Sequence, residues 1–211
     1  MEILKEISAY LQQGRAPKVK ALVQEAIDAG IAANVILEEG LLPGMSIVGD
    51  KFKNNEVFVP EVLIAARAMN QGVAILKPYL VEEGVKAKGT AVIGTVKGDL
   101  HDIGKNLVKM MLEGKGLSVI DLGVDVSAEQ FVAAAIENNA DLICCSALLT
   151  TTMNEMKAVV EKATADGIRD KVTIMVGGAP ITQQYCDSIG ADYYAPDAAS
   201  ASDIAIRVCA E

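Results

Sequence analysis

Gly94-Thr95-Val96-Lys97-Gly98-Asp99-Leu100-His101-Asp102-Ile103-Gly104-Lys105-Asn106 joins two kinds of pattern. The apolar, β-branched run Thr90–Val96 ends in it, and helical spacing over Ile103–Leu112 starts in it, so it reads as a strand-to-helix turn. It also holds the single histidine of the chain, His101, between Asp99 and Asp102. A lone histidine is most often a surface or satisfied core residue. At a glycine-flanked turn, with a carboxylate two residues before it, a metal or catalytic role becomes an equal competitor.

Toward the C-terminus the same alternation recurs. Apolar runs at Thr90–Val96, Leu117–Leu122, Asp141–Ser146, Val172–Val176 and Tyr193–Ala195 alternate with helical patterns at Ile103–Leu112, Ala128–Glu137, Met153–Ala163, Ile181–Ile189 and Ala199–Cys209. Ser127, three residues before Gln130, is a capping-box start. Such alternation predicts a parallel sheet covered on both faces, and right-handed crossovers make it doubly wound. The expected fold class is α/β: an N-terminal helical bundle cap, then a doubly wound five-stranded parallel sheet in the flavodoxin-like order 2-1-3-4-5. Ligands of these sheets sit beyond the carboxyl ends of the strands, at the switch point. The polar stretches Lys97–His101, Ser146–Thr152, Gly177–Pro180 and Pro196-Asp197 all follow strands.

Toward the N-terminus the periodicity is helical. Ile3, Leu4, Ile7 and Leu11 share one face, Gly14 ends that helix, and Pro17 suits the first turn of the next, which Gly30 stops. A third helical stretch, Ala32 to Glu39, is expected to break or kink at Gly40 and Pro43. The longest pattern runs from Phe58 to Leu80, with Pro60 near its start. Short connections predict antiparallel packing. Phe52, Phe58 and Val59 flank the polar loop 53–56; core packing with a helix staple is the favoured reading, and an apolar lid over a ligand is the alternative. Val81–Gly89 reads as a solvated linker, which divides the chain into a helical cap domain (1–85) and an α/β domain (86–211).

A formal net charge of −9 argues against nucleic acid, which needs a basic face. No apolar run approaches the ~20 residues of a membrane helix, and the start of the chain lacks a signal-peptide pattern, so the expectation is a cytoplasmic protein with no membrane role. Cys144, Cys145, Cys186 and Cys209 show neither Cys-x-x-Cys nor zinc spacing. Buried strand cysteines are favoured over a vicinal redox pair at Cys144-Cys145.

At the site itself, extended backbone would put Asp99 and His101 on the same side, with the carboxylate in reach of the imidazole. A carboxylate on Nδ1–H leaves Nε2 free to ligate a metal. A zinc site needs three or four protein ligands and there is no second histidine; one histidine suffices as the axial ligand of a metal already held by a macrocycle. Gly98 and Gly104 fit neither G-x-G-x-x-G nor the phosphate-binding loop, and their plain reading is turn chemistry. Gly177-Gly178 would let a flat or extended ligand pass near the strand end. Ser146, Thr150, Thr151 and Thr152 offer hydroxyls for helix capping, for a ligand, or for a hydrogen-bond chain from Asp99.

The D-x-H-x-x-G of Asp99, His101 and Gly104, the S-x-L of Ser146 and Leu148, and the Gly177-Gly178 pair resemble the cobalamin-binding signature. The stretches 44–52 and 58–62 resemble the helical cap of the same family. The chain is similar to the corrinoid proteins of anaerobic methyltransferase systems and to the cobalamin module of methionine synthase. The resemblance implies a cobalamin or related corrinoid cofactor, in its methylcobalamin form during turnover. His101 would replace dimethylbenzimidazole as the lower, axial cobalt ligand, Asp99 would hold its other nitrogen, and Thr152 would stand where the family has a relay serine. Gly98 and Gly104 would make room for the corrin, and Asp102 and Ile103 would be further cofactor-binding residues. The nucleotide tail would run past Ser146, Leu148, Thr150, Gly177 and Gly178, with Ala198 near its end. Phe52 and Val59 match the residues that shield the upper face, and Glu38 matches a cap residue near the ring. The implied function is a methyl carrier between a substrate-specific methyltransferase and a second methyltransferase acting on a tetrahydrofolate-type or thiol acceptor, served by a reductive activase. It would not turn over alone. A cobalamin-dependent sensor or binding module is the alternative, and a mutase subunit is disfavoured by the helical cap.

Overall fold

The computed structural model describes residues 1–210, which form two compact units, one over 1–86 and one from Ala87 onward. The first unit is helical: α1 (Glu2–Gln12), α2 (Ala16–Asp28), α3 (Ala33–Ile36), α4 (Leu42–Lys53) and α5 (Val59–Glu82). Leu4, Ile7 and Leu11 of α1, Val19 and Val23 of α2, Met45 of α4, and Val62 and Leu76 of α5 are buried together in its core. Gly14 and Gly30 take left-handed conformations at the two expected stops. Phe58 precedes α5, and its N–H donates to the Glu61 carboxylate at 3.0 Å, half of a capping box.

The expected break at Gly40 and Pro43 does not occur. α3 runs through a π-helical turn, Leu37–Leu41, directly into α4, where Pro43 sits in the first turn. The irregularity takes the form of that widened turn, which ends two residues before Pro43. The glycines serve close approach: a Cβ at Gly44 would lie 3.1 Å from the Ser8 backbone, and one at Gly40 3.4 Å from Ile7.

The second unit is a five-stranded parallel sheet in the order β2-β1-β3-β4-β5, with β1 (Thr90–Thr95), β2 (Ser118–Asp121), β3 (Leu142–Ser146), β4 (Thr173–Gly177) and β5 (Tyr193–Ala195). Helices α6 (Ile103–Gly114), α7 (Ala128–Glu137), α8 (Asn154–Ala165), α9 (Gln183–Ile189) and α10 (Ala198–Cys209) cover it. The sequence-derived strands and order are therefore correct, with strand ends within one residue. Ala91, Ile93, Leu142, Cys144 and Met175 pack under α6 and α10, while Val92, Ile143, Cys145 and Ile174 pack under α7, α8 and α9. Both faces are apolar because both are covered. Lys105, buried in α6, ties that helix to the end of β2 through Asp121 at 2.6 Å.

The two adjacent cysteines fall into opposite cores, as successive strand residues must, so they cannot act as a vicinal redox pair. Burial pushes the Cys144 thiol up to about 12 and the Cys145 thiol higher still. Thiol labelling of the folded protein at pH 8 is expected to spare both until denaturant is added. Rapid native labelling at Cys144 or Cys145 would show that this sheet opens.

Candidate functional site

The sheet register assembles the site. Thr95 of β1 pairs with Ser146 of β3, Ser146 with Gly177 of β4, and Gly177 with Ala195 of β5. This row marks the carboxyl edge, and the loops after β1 and β3 leave it on either side of the switch point. The two loops meet at Asp99. Its residue is fully buried. Oδ1 accepts from the His101 ring Nδ1 at 2.7 Å and from the His101 backbone N–H at 3.0 Å. Oδ2 accepts from the amides of Leu148 and Leu149 at 2.8 and 3.2 Å, and from the Thr152 hydroxyl at 3.0 Å.

The expected contact between Asp99 and His101 is present, but the geometry is a turn and not extended backbone. Gly98 is left-handed, at φ 79°, and the carboxylate folds back onto the amide two residues on, the local bond that aspartate favours in turns. Thr152 reaches Asp99 as expected. Its hydroxyl also lies 2.9 Å from the Leu149 carbonyl; with one proton to give, it favours the charged acceptor. None of the loop hydroxyls caps α8, whose preceding residue Met153 makes no side-chain cap. The capping explanation is thus replaced by the hydrogen-bond chain.

Burial alone would raise the Asp99 carboxyl. The amides of Leu148 and His101, the His101 ring and the Thr152 hydroxyl outweigh it and hold the group well below the usual carboxylate range. A depressed value in the folded state means stabilisation that is present above the unfolded value, ~4, and is lost as pH falls below it. The stability gap between wild type and Asp99→Asn should therefore narrow on acidification below about pH 4. Urea titrations across that range check it, and a gap independent of pH would contradict it.

The His101 side chain is 52% exposed, so with Nδ1 engaged its Nε2 edge is open to a ligand. Around it Leu100, Ile103, Leu148 and Leu149 are exposed apolar groups, the surface that a large, flat, partly apolar ligand would cover. A Cβ added at Gly104 would meet nothing within 4 Å, so open space lies over the start of α6. Asp102, beside His101 in the chain, and Thr150, in the loop after β3, are exposed, Ser146 is half-buried, and Ala198 is buried at the start of α10. Gly178 has a reason beyond ligand passage. At φ 131° an added Cβ would collide with the Ala147 carbonyl, so the fold itself demands glycine. A Cβ at Gly177 would be 3.0 Å from the Ala195 oxygen.

In the helical unit, Phe52 and Val59 are half-buried and Phe58 is 64% exposed. Phe58 thus lies outside the core, while Phe52 and Val59 are partly packed. Glu38 is exposed on the π-helical turn. Two residues around the His101 loop escaped the sequence reading. Thr95, a buried polar group at a strand end, donates to the His101 carbonyl at 2.7 Å, and Asp125 accepts from Gly98 N–H at 2.7 Å. Thr95 carried one signal, a hydroxyl closing an apolar run; Asp125 carried none.

Fold and site together define a doubly wound sheet that presents one histidine, backed by a carboxylate, at its switch point. A family model described as a B12 binding domain matches residues 89–203, and a second B12 binding domain model matches residues 3–77. A corrinoid protein of Desulfitobacterium hafniense (strain Y51) is 41% identical over 99% of this chain and 98% of its own. The dimethylamine corrinoid protein of Methanosarcina barkeri is 44% identical over 95% of this chain and 94% of its own. Among solved structures, the methanol:cobalamin methyltransferase complex MtaBC from Methanosarcina barkeri contains a chain that superposes with a TM-score of 0.89 at 33% identity, over 99% of this chain and 80% of that one. The chain belongs to the B12-binding family, as a corrinoid protein of the kind found in methyltransferase systems.

The residues present fit such a cofactor. Among the described residues no group of three or more His, Cys, Asp or Glu is placed to hold a metal ion. A metal carried within a macrocycle asks only one ligand of the protein, and His101 offers one nitrogen with the other already held. No helix of the described residues is long and apolar enough to cross a membrane.

Proposed function

We propose that the chain is a methyl-carrier subunit, which accepts a methyl group from a substrate-specific methyltransferase and passes it to a second methyltransferase. When bound, the corrinoid supplies a cobalt able to carry that methyl group. The residues of this chain supply the setting. His101 would hold the metal through Nε2. Asp99 fixes the imidazole and its tautomer, and Thr152 extends the chain to the β3 loop. The observation that carries the reading is this His101–Asp99–Thr152 relay, built from the two loops that border the switch point. Gly98, Ile103 and Gly104 would make room for the ring, and Ser146, Leu148, Thr150, Gly177, Gly178 and Ala198 would border the tail. Glu38, Phe52 and Val59 are the helical unit's contribution.

Curated relatives at 44% identity are dimethylamine and trimethylamine corrinoid proteins, so methylamines are the first donors to try. Reconstitution with cobalamin should give stoichiometric binding. A methylamine methyltransferase with its amine should then methylate the bound corrinoid, and His101→Gly should alter its axial spectrum. Binding without methylation by any methylamine or methanol methyltransferase would favour a sensor or storage module. No binding at all would end the corrinoid reading.

A further inference from the structure

The contact between Asp99 and the His101 ring fixes the ring only relative to its own loop. The loop is exposed: Leu100, His101 and Asp102 all face solvent. A ligand's position depends equally on what fixes the backbone that carries it. Two side chains outside the relay do this. Thr95 is fully buried at the end of β1, and its hydroxyl donates to the His101 carbonyl at 2.7 Å, closing residues 95–101 into a ring. Asp125, in the loop after β2, accepts the Gly98 N–H on Oδ1 at 2.7 Å, and its own N–H donates to the Asp99 carbonyl at 3.0 Å. It does so from a left-handed conformation, φ 55°, which is uncommon outside glycine. The same loop is stitched to the strand end by Thr95 N–H to Gly123 and Val126 N–H to Thr95, both at 3.0 Å.

The His101 loop is thus gripped by two neighbours. The loop after β3 grips the Asp99 carboxylate, and the loop after β2 grips the backbone around it. We infer that Thr95 and Asp125 are positioning residues for His101: they hold the backbone from which the imidazole reaches the lower face of the cofactor. Neither touches the reacting atoms. The inference rests on the reading of His101 as the axial ligand.

The test uses the full chain, grown on ¹⁵N-histidine and loaded with unlabelled cob(II)alamin, whose electron paramagnetic resonance spectrum separates the histidine-ligated form from forms that carry the cofactor's own base or no nitrogen. At equal corrinoid content, Thr95→Val should lower the ratio of the histidine-ligated form to the others by on the order of tenfold, the scale of outer-partner loss at metal sites. Asp125→Ala should lower it severalfold. Thr95→Ser keeps the donor and Asp125→Asn keeps an acceptor oxygen, so both should stay near wild type. Wild-type ratios in Thr95→Val and Asp125→Ala would overturn the inference, as would conservative variants as defective as the disruptive ones. Should Thr95→Val not fold, the Asp125 pair decides alone. Backbone ¹⁵N relaxation of the ligand-free protein gives an independent reading: residues 100–102 should become more mobile in Asp125→Ala than in Asp125→Asn, and equal mobility would count against the inference. A wild-type protein with no histidine-ligated signal would sink the axial-ligand reading and leave the relaxation result to judge the clamp.

Discussion

Asp99→Ala is expected to destabilise the α/β unit by on the order of 3–4 kcal/mol and to loosen His101 at the same time. The carboxylate accepts from the His101 amide and ring, from the amides of Leu148 and Leu149, and from Thr152. Each donor left without a partner costs about 1–3 kcal/mol when buried. Water entering from the exposed sides of Leu148 and Leu149 offsets part of that total. Because these donors belong to two loops, one residue joins two sections of chain far apart in sequence. Urea denaturation of the ligand-free protein checks the stability effect, and the axial spectrum of the reconstituted variant checks the second effect. A variant as stable as wild type would mean that the loops are held by something other than Asp99.

Gly178→Ala is expected to be comparably severe, and for a different reason. The backbone there sits at φ 131°, and the new methyl would collide with the Ala147 carbonyl on the neighbouring loop. The conformational strain costs about 1–3 kcal/mol and the overpacking about 1–3 kcal/mol more, because the obstacle is backbone and cannot swing away. Gly104→Ala is the contrast. Its Cβ meets nothing within 4 Å, and Gly104 lies inside a helix. Alanine there should leave stability unchanged or raise it by up to about 1 kcal/mol, while weakening corrinoid retention by intruding on open space over the helix start. Denaturation curves with corrinoid retention on a desalting column separate the two cases. A stable Gly178→Ala, or a Gly104→Ala that retains corrinoid like wild type, would contradict the respective half.

The sheet was legible because a parallel strand covered on both faces is a continuous apolar run, and each run here is closed by glycine, proline or polar residues. The pairing of Asp99 with His101 was legible because it is local. Thr152 depended on the family pattern, since the hydroxyls at 150–152 look alike until the loop is folded. The backbone clamp was out of reach: Asp125 meets Gly98 only because β2 lies beside β1, and nothing near Asp125 in the sequence announces it. The Gly40–Pro43 stretch misled for a similar reason. Breakers predict a break in an isolated helix, but close packing of α1 against Gly40 and Gly44 rewards continuing through a widened turn.

The central claim is that His101 is the lower ligand of the bound corrinoid, and the composition of the chain makes it directly testable. His101 is the only histidine, so growth on ¹⁵N-histidine labels one side chain. Reconstitution with unlabelled cob(II)alamin then places one isotope on the protein and the other on the cofactor's own base. The account predicts that the nitrogen superhyperfine triplet of the unlabelled sample becomes a doublet. An unchanged triplet would show that the cofactor's own base still ligates the metal, and no nitrogen splitting at all would show that His101 does not reach it.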